Sequence, residues 1–162
     1  MSFRIVPLQT TYLELVRQQQ VDALGQNVRR LVSAEGGEPC RDVLRRARPG
    51  EELILASYSP FTRPGPYREF GPIFVLANPA SDNLTFDSSI FTSGSDYFSS
   101  QLVLRAYSRD EDMLEAQLVA KEEVSTVLSE FFQKPQVAFV HARFPAAGCF
   151  ALRIERVEAT AS

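Results

Sequence analysis

The stretch Val137-Ala138-Phe139-Val140-His141-Ala142-Arg143-Phe144-Pro145-Ala146-Ala147-Gly148-Cys149-Phe150-Ala151-Leu152-Arg153-Ile154-Glu155-Arg156-Val157 decides the fold. Two apolar arms flank the turn-forming Pro-Ala-Ala-Gly, which predicts a pair of antiparallel strands, Val137 to Phe144 and Cys149 to Val157. Strand alternation puts Phe139, His141 and Arg143 on one face of the first arm, and Cys149, Ala151 and Arg153 on one face of the second. Turn parity decides whether the two sets meet. A four-residue loop sets Arg143 opposite Phe150 and His141 opposite Leu152, with Cys149 on the other face; a five-residue loop or one bulge brings Arg143 opposite Cys149.

Working outward, Val124, Val127, Leu128, Phe131 and Phe132 form the apolar stripe of an amphipathic helix that Pro135 ends. Leu102 to Tyr107 alternates as a strand, and Met113 to Val119 offers a second one. Leu53 to Tyr58 and Ile73 to Ala77 are apolar runs too short to nucleate helices, hence strands. Between them Pro60, Pro64, Gly65, Pro66, Gly71 and Pro72 stiffen a loop from which Arg63, Tyr67 and Arg68 project. Asn78 to Ser100 is polar and aperiodic, but Phe86, Ile90, Phe91 and Phe98 predict that it packs over something, as a lid would.

The first third reads as mainly helical. Thr11-Tyr12-Leu13-Glu14 has capping-box spacing, and Val21, Leu24, Val28, Leu31 and Val32 recur at helical intervals before Gly36-Gly37; Gln18-Gln19-Gln20 interrupts the stripe and allows two helices. Val43, Leu44 and Ala47 predict a short helix ended by Pro49-Gly50, with Cys40 and Arg41 at its N-terminus. The expected architecture is a single α+β domain over residues 1–162, a mainly antiparallel sheet with helices packed on one face and a C-terminal β-hairpin.

A net charge of -3 lacks the clustered positive field that nucleic-acid binding requires. No segment approaches the roughly 20 apolar residues of a membrane span, and Met1 to Gln9 is not a secretory signal, so a cytoplasmic protein without a membrane partner is expected. In that compartment Cys40 and Cys149 are expected as free thiols, able to bridge only on oxidation. Fifteen arginines stand against two lysines. Codon bias is the favoured explanation of that skew, ahead of a need for bidentate anion recognition.

With one histidine, chemistry near neutral pH has few carriers. Cys40 could act as a nucleophile supported by a helix N-terminus, Arg41 and His141. Cys40, His141 and Cys149 could hold zinc, though that ion normally takes a fourth ligand and neither cysteine belongs to a CxxC pair. The favoured expectation is a cofactor- and metal-independent isomerase, cyclase or lyase. In it His141 transfers a proton, Arg143, Arg105, Arg68 and Arg41 hold an anionic small molecule, and Tyr58, Tyr67 and Tyr107 donate hydrogen bonds. The alternative is a noncatalytic ligand-binding or interaction module in which His141, Cys40 and Cys149 are structural. Asp82, Asp87 and Asp96 read as turn chemistry, Glu51-Glu52 and Asp110-Glu111-Asp112 as solvated charge, and Arg45, Arg46 and Arg48 as a basic helix face.

Pro39-Cys40-Arg41, Pro49-Gly50-Glu51, Pro66-Tyr67, Gly71-Pro72-Ile73-Phe74, Arg105-Ala106-Tyr107, Val140-His141 and Gly148-Cys149 occur in this order along most of the chain. Taken together they resemble a family known only as domain of unknown function number 1203 (DUF1203). The resemblance implies that these landmarks share one domain, and it supplies no reaction, cofactor or catalytic residue. Where that family commonly continues His-x-Arg with Asn-Ala, this chain has Phe144-Pro145, and it carries extra length between Asn78 and Ser100.

Overall fold

Ten strands form two five-stranded sheets among the described residues, which in this computed structural model are 2–79, 81, 82, 84 and 86–158. In chain order they are β1 (Phe3–Val6), β2 (Arg29–Val32), β3 (Pro39–Cys40), β4 (Arg45–Arg46), β5 (Glu52–Tyr58), β6 (Gly71–Leu76), β7 (Gln101–Tyr107), β8 (Met113–Ala120), β9 (Phe139–Arg143) and β10 (Phe150–Arg156). The first sheet runs β1-β10-β9-β7-β8 and is antiparallel throughout. The second runs β2-β5-β6-β3-β4, antiparallel except for the short parallel β3–β6 contact. Helix α1 (Thr10–Glu14) continues as a π-helical turn, Leu15–Gln19, and α2 (Val124–Phe132) follows a 3-10 turn, Lys121–Glu123. The molecule is thus α+β and mostly antiparallel, with few helices, and none of them is long and apolar enough to cross a membrane.

Each sheet covers one face with a helix. The α2 stripe, all five residues buried, packs with Leu102, Leu104, Val140, Ala142, Leu152 and Ile154. On the second sheet Ile54, Ala56, Ile73 and Val75 pack under Tyr12 and Val16.

Two helical expectations are corrected. The first helix ends at Gln20, where the backbone turns left-handed with φ 57°. The Asp22 carboxylate then accepts the Leu24 and Gln26 amides at 2.9 and 3.0 Å, Gly25 takes φ 75°, and the chain returns to pair β2 with β5. The residue before Thr10 is Gln9, which makes no side-chain cap, so the capping-box reading of Thr11 also falls. Leu31 and Val32, at helical spacing, are strand residues, because an Asx turn and a neighbouring strand override local periodicity. No helix follows Cys40 either. Residues 41–44 make a single turn closed by Leu44 N–H to the Cys40 carbonyl at 2.9 Å; Leu44 turns left-handed (φ 53°), and β4 pairs back onto β3.

The lid expectation fails on position. Ile90, Phe91, Tyr97 and Phe98 are buried in the core under α2, on the face of the sheet opposite His141; Ala80, Asn83 and Thr85 of that segment lie outside the described residues. The segment is pinned there by the Tyr97 hydroxyl to the Ala151 carbonyl at 2.7 Å and the Lys121 ammonium to the Ser95 carbonyl at 2.7 Å.

Candidate anion-binding cleft

Turn parity at the hairpin resolves as a four-residue loop followed by a bulge. Arg143 opposes Phe150, but the register slips at Ala151, so His141 faces Arg153 rather than Leu152. The slip gathers Phe139, His141, Arg143, Phe150 and Arg153 on one face of the first sheet, and β7 adds Arg105 opposite His141 and Tyr107 opposite Phe139. This face is roofed by the proline-rich loop. Thr62 donates its amide (2.9 and 3.1 Å) and hydroxyl (2.7 Å) to the Glu111 carboxylate, which anchors the loop and buries Phe61 against Tyr107 and Phe139.

His141 is consequently sealed. It has no exposed surface, and four aromatic rings surround it, those of Tyr107, Phe139, Phe61 and Phe150, at 4.9 to 5.2 Å between centroids. Neither ring nitrogen has a hydrogen-bond partner among the described residues. Burial, with smaller contributions from the Arg153 and Arg105 charges, holds its pKa well below the ordinary 6.5 and keeps the imidazole neutral.

Arg143, 5% exposed, donates to the Gly148 carbonyl at 2.9 Å and forms an ion pair with Glu69, leaving Nε without a partner. Arg105 reaches the same Glu69 carboxylate at 3.9 Å. Arg143, Glu69, Tyr58 and Cys149 line a small cleft of about 220 Å³. Burial raises the pKa of Tyr58 and Tyr107, so both remain protonated hydrogen-bond donors. Tyr67 and Arg68 stand apart from these groups: Tyr67 is exposed on the loop, and the Arg68 guanidinium lies over the Phe70 ring at 5.4 Å.

A second cleft, about 540 Å³, opens on the other side of Cys149. Its walls are apolar, with Leu55, Pro72, Phe74 and Phe144, and two guanidiniums enter it, from Arg41 and Arg46. Both lie against the Phe144 ring, at 5.1 and 5.2 Å from its centroid. Arg41 is 3% exposed and spends its donors on the Phe150 carbonyl (2.8 Å), the Pro39 carbonyl (2.7 Å) and the Cys149 sulfur (3.1 Å). Arg46 donates to the Asp96 and Gly37 carbonyls at 3.3 and 3.0 Å. Neither forms an ion pair with a carboxylate among the described residues. Arg41 is therefore a buried cation whose partners are carbonyls and a sulfur, while Arg46 is partly exposed.

Cys40 lies in a strand rather than at a helix N-terminus. It is wholly buried, and burial, aided by the Asp42 charge, pushes its thiol up to about 12, so it remains protonated. No group of three His, Cys, Asp or Glu side chains among the described residues is placed to hold a metal ion, so Cys40, His141 and Cys149 do not assemble as ligands. Asp82 and Asp87, read as plain turn chemistry, and Glu51, read as solvated charge, have specific partners. Asp82 and Glu51 together clamp Arg45, at 2.6 Å and at 2.8 and 2.9 Å, and so supply it with carboxylate partners. Asp87 caps the 3-10 turn Ser88–Phe91 through the Ser89 amide at 2.9 Å, and Asp96 contributes only its carbonyl. Arg46 and Glu69 were not among the expected site residues. A surplus of cation after pairing cannot be counted in a sequence, although an acid within the rigid Tyr67-Arg68-Glu69-Phe70 stretch is a visible signal.

Fold and site define a class: a two-sheet α+β protein with an arginine-lined apolar cleft and an imidazole sealed between the first sheet and the proline-rich loop. A family model described as protein of unknown function, DUF1203, matches residues 37–156, and the chain belongs to that family. Neither a curated protein nor a solved structure matches it.

Proposed function

We propose that this domain binds a small, largely apolar anion of the carboxylate class in the cleft between Arg46 and Phe144, with Arg41 as the buried counter-charge. One observation carries the reading: two guanidiniums with no carboxylate partner among the described residues share one apolar cleft. Its volume, about 540 Å³, falls within the roughly 300–1,000 Å³ of small-molecule sites. The Phe144 face, polarised between two cations, suits an aromatic or alkyl body, and the fork of Arg46 suits a carboxylate head. In this reading His141 supports the sheet instead of transferring protons, since the rings around it leave no route to the cleft.

Calorimetric titration with phenylacetate, and with phenylethanol as its neutral counterpart, tests the proposal. Phenylacetate is expected to bind and phenylethanol to bind at least tenfold more weakly, a gap of about 1.4 kcal/mol. Arg46→Gln should remove most of that gap. Equal binding of the two compounds, or binding of neither across a series of mono- and dicarboxylates, would overturn it.

Proton transfer at His141 is the second reading, favoured by two ring nitrogens that have no hydrogen-bond partner among the described residues. Nitrogen NMR of the single imidazole separates the two: its resonances should stay fixed on phenylacetate addition if the ring is structural and move if it meets the ligand.

A further inference from the structure

The proline-rich loop leaves the second sheet and returns to it at one point, because Tyr58 and Gly71 pair across β5 and β6. It is a strap with a narrow base, stiffened by Pro60, Pro64 and Pro66. Thr62 to Phe70 are all exposed, and among the described residues no backbone–backbone hydrogen bond ties residues 60–70 to the rest of the molecule. Side-chain contacts hold it at two places. Near its start Thr62 and Arg63 meet the Glu111 and Asp110 carboxylates, and near its end Glu69 meets Arg143 and Arg105. Phe61, beside the first of these, is the plug over His141, with 5.2 Å between ring centroids.

Two observations under the strap point to a ligand. Glu69 is a half-exposed carboxylate that a solvent-exposed loop carries onto the buried Arg143 guanidinium, with Arg105 at 3.9 Å from the same oxygen. A free carboxylate offers those guanidiniums the same contacts. Independently, His141 lies opposite Arg105 across β7 and β9 and two residues from Arg143; it is wholly buried, and neither ring nitrogen has a partner among the described residues. The closed strap thus leaves an imidazole unpaired, a cost that is relieved when this face is uncovered.

We propose that the face bearing Arg105, His141 and Arg143 is a second binding site, for a small free carboxylate, and that Glu69 fills it as an internal ligand until the strap swings out. Binding exchanges one carboxylate for another on the same guanidiniums, so the charge at the site is conserved, and the uncovered imidazole regains hydrogen-bond partners in the ligand and in water. The cleft of about 220 Å³ at the base of the strap, lined by Tyr58, Glu69 and Arg143, is the way in. The site shares no arginine with the Arg46 cleft and does not depend on it.

The test uses the folded, full-length protein in an Arg46→Gln background, which silences the larger cleft, and takes two readouts. One is the affinity for trifluoroacetate by fluorine NMR, with chloride at equal ionic strength as the control for screening. The other is the rate at which diethyl pyrocarbonate acylates the single imidazole, mapped to His141 by peptide mass. Glu69→Gln should bind trifluoroacetate roughly tenfold more tightly than its parent and be acylated roughly tenfold faster, because the internal competitor is gone. Adding Arg105→Gln should abolish the gain in affinity and keep the gain in acylation. Glu69 is half-exposed, so its variant should fold; Glu111→Gln frees the other end of the strap and should likewise speed acylation. Acylation unchanged in both Glu69→Gln and Glu111→Gln would show that the strap does not open and would overturn the proposal. So would an affinity of Glu69→Gln equal to its parent's, or a gain that Arg105→Gln leaves intact. Neither result touches the reading of the larger cleft, which phenylacetate tests in the protein that keeps Arg46.

Discussion

At the scale of the residue, His141 is the sharpest local violation of the rule that buried polar groups are paired. A neutral imidazole enclosed by four aromatic rings forfeits its water contacts and regains none of them, which costs about 1–3 kcal/mol. Replacement by an apolar side chain of similar volume should therefore be neutral or stabilising. His141→Leu is expected to unfold in urea at a midpoint equal to or above that of the wild type at pH 8; a large loss would mean that the ring has a partner after all. The acid limb gives a second readout. Because the folded pKa lies below the unfolded 6.5, the unfolded chain binds a proton that the folded one refuses. Stability from this group is complete above pH 6.5 and falls on acidification, by up to about 1.4 kcal/mol per pH unit, until the folded ring protonates. Between pH 7 and 5 the wild type should lose stability relative to His141→Leu, and parallel pH curves for the two proteins would refute the depressed pKa.

At the scale of the element, the proline-rich loop between β5 and β6 is what makes the imidazole inaccessible. Its prolines limit the loop's own conformations, but the anchor is remote in sequence: Glu111, in the β7–β8 turn with φ 67°, receives three hydrogen bonds from Thr62. Arg63 adds an ion pair to Asp110 at 2.6 Å, exposed enough to contribute little. Glu111→Ala should cost about 1–3 kcal/mol through the orphaned Thr62 donors and should raise amide exchange in residues 59–71 selectively. Exchange that rises uniformly over the molecule would show that the loop is held by something else. The same contrast explains the misread first third. Helical spacing in Val21 to Val32 is genuine, yet the strand partner that overrules it, Glu52 to Leu55, lies more than one element away.

At the scale of the whole molecule, Arg41 joins the sheets. It leaves β3 of the second sheet and donates to the Phe150 carbonyl and the Cys149 sulfur, at the start of β10 in the first. The planar fork serves three acceptors in different directions, which an ammonium on a flexible stem does not reproduce. Arg41→Lys should destabilise the protein by roughly 2–4 kcal/mol in denaturant titrations despite keeping the charge, since buried donors and acceptors lose their geometry. A midpoint within error of the wild type would show that charge alone suffices there. The same residue lends the cleft its charge, so stability and anion affinity share one side chain, and Arg46 is the better probe of binding.

The sequence by itself determined the strands from β5 onward, the amphipathic α2 and the C-terminal hairpin, because alternation and helical stripes report local burial. It also placed His141 and Arg143 on one face, which strand geometry alone requires. Only the tertiary structure decided that the bulge at Ala151 turns Arg153 toward His141, that Cys40 is sealed in a strand while Cys149 is partly exposed, and that Asp82 and Glu51 neutralise Arg45 while Arg41 and Arg46 meet no carboxylate among the described residues. Those outcomes depend on which charges and rings meet across chain separations of up to 109 residues, as between Arg41 and Phe150. Periodicity carries no information about such meetings; the two sheets bring them about when they close on one another.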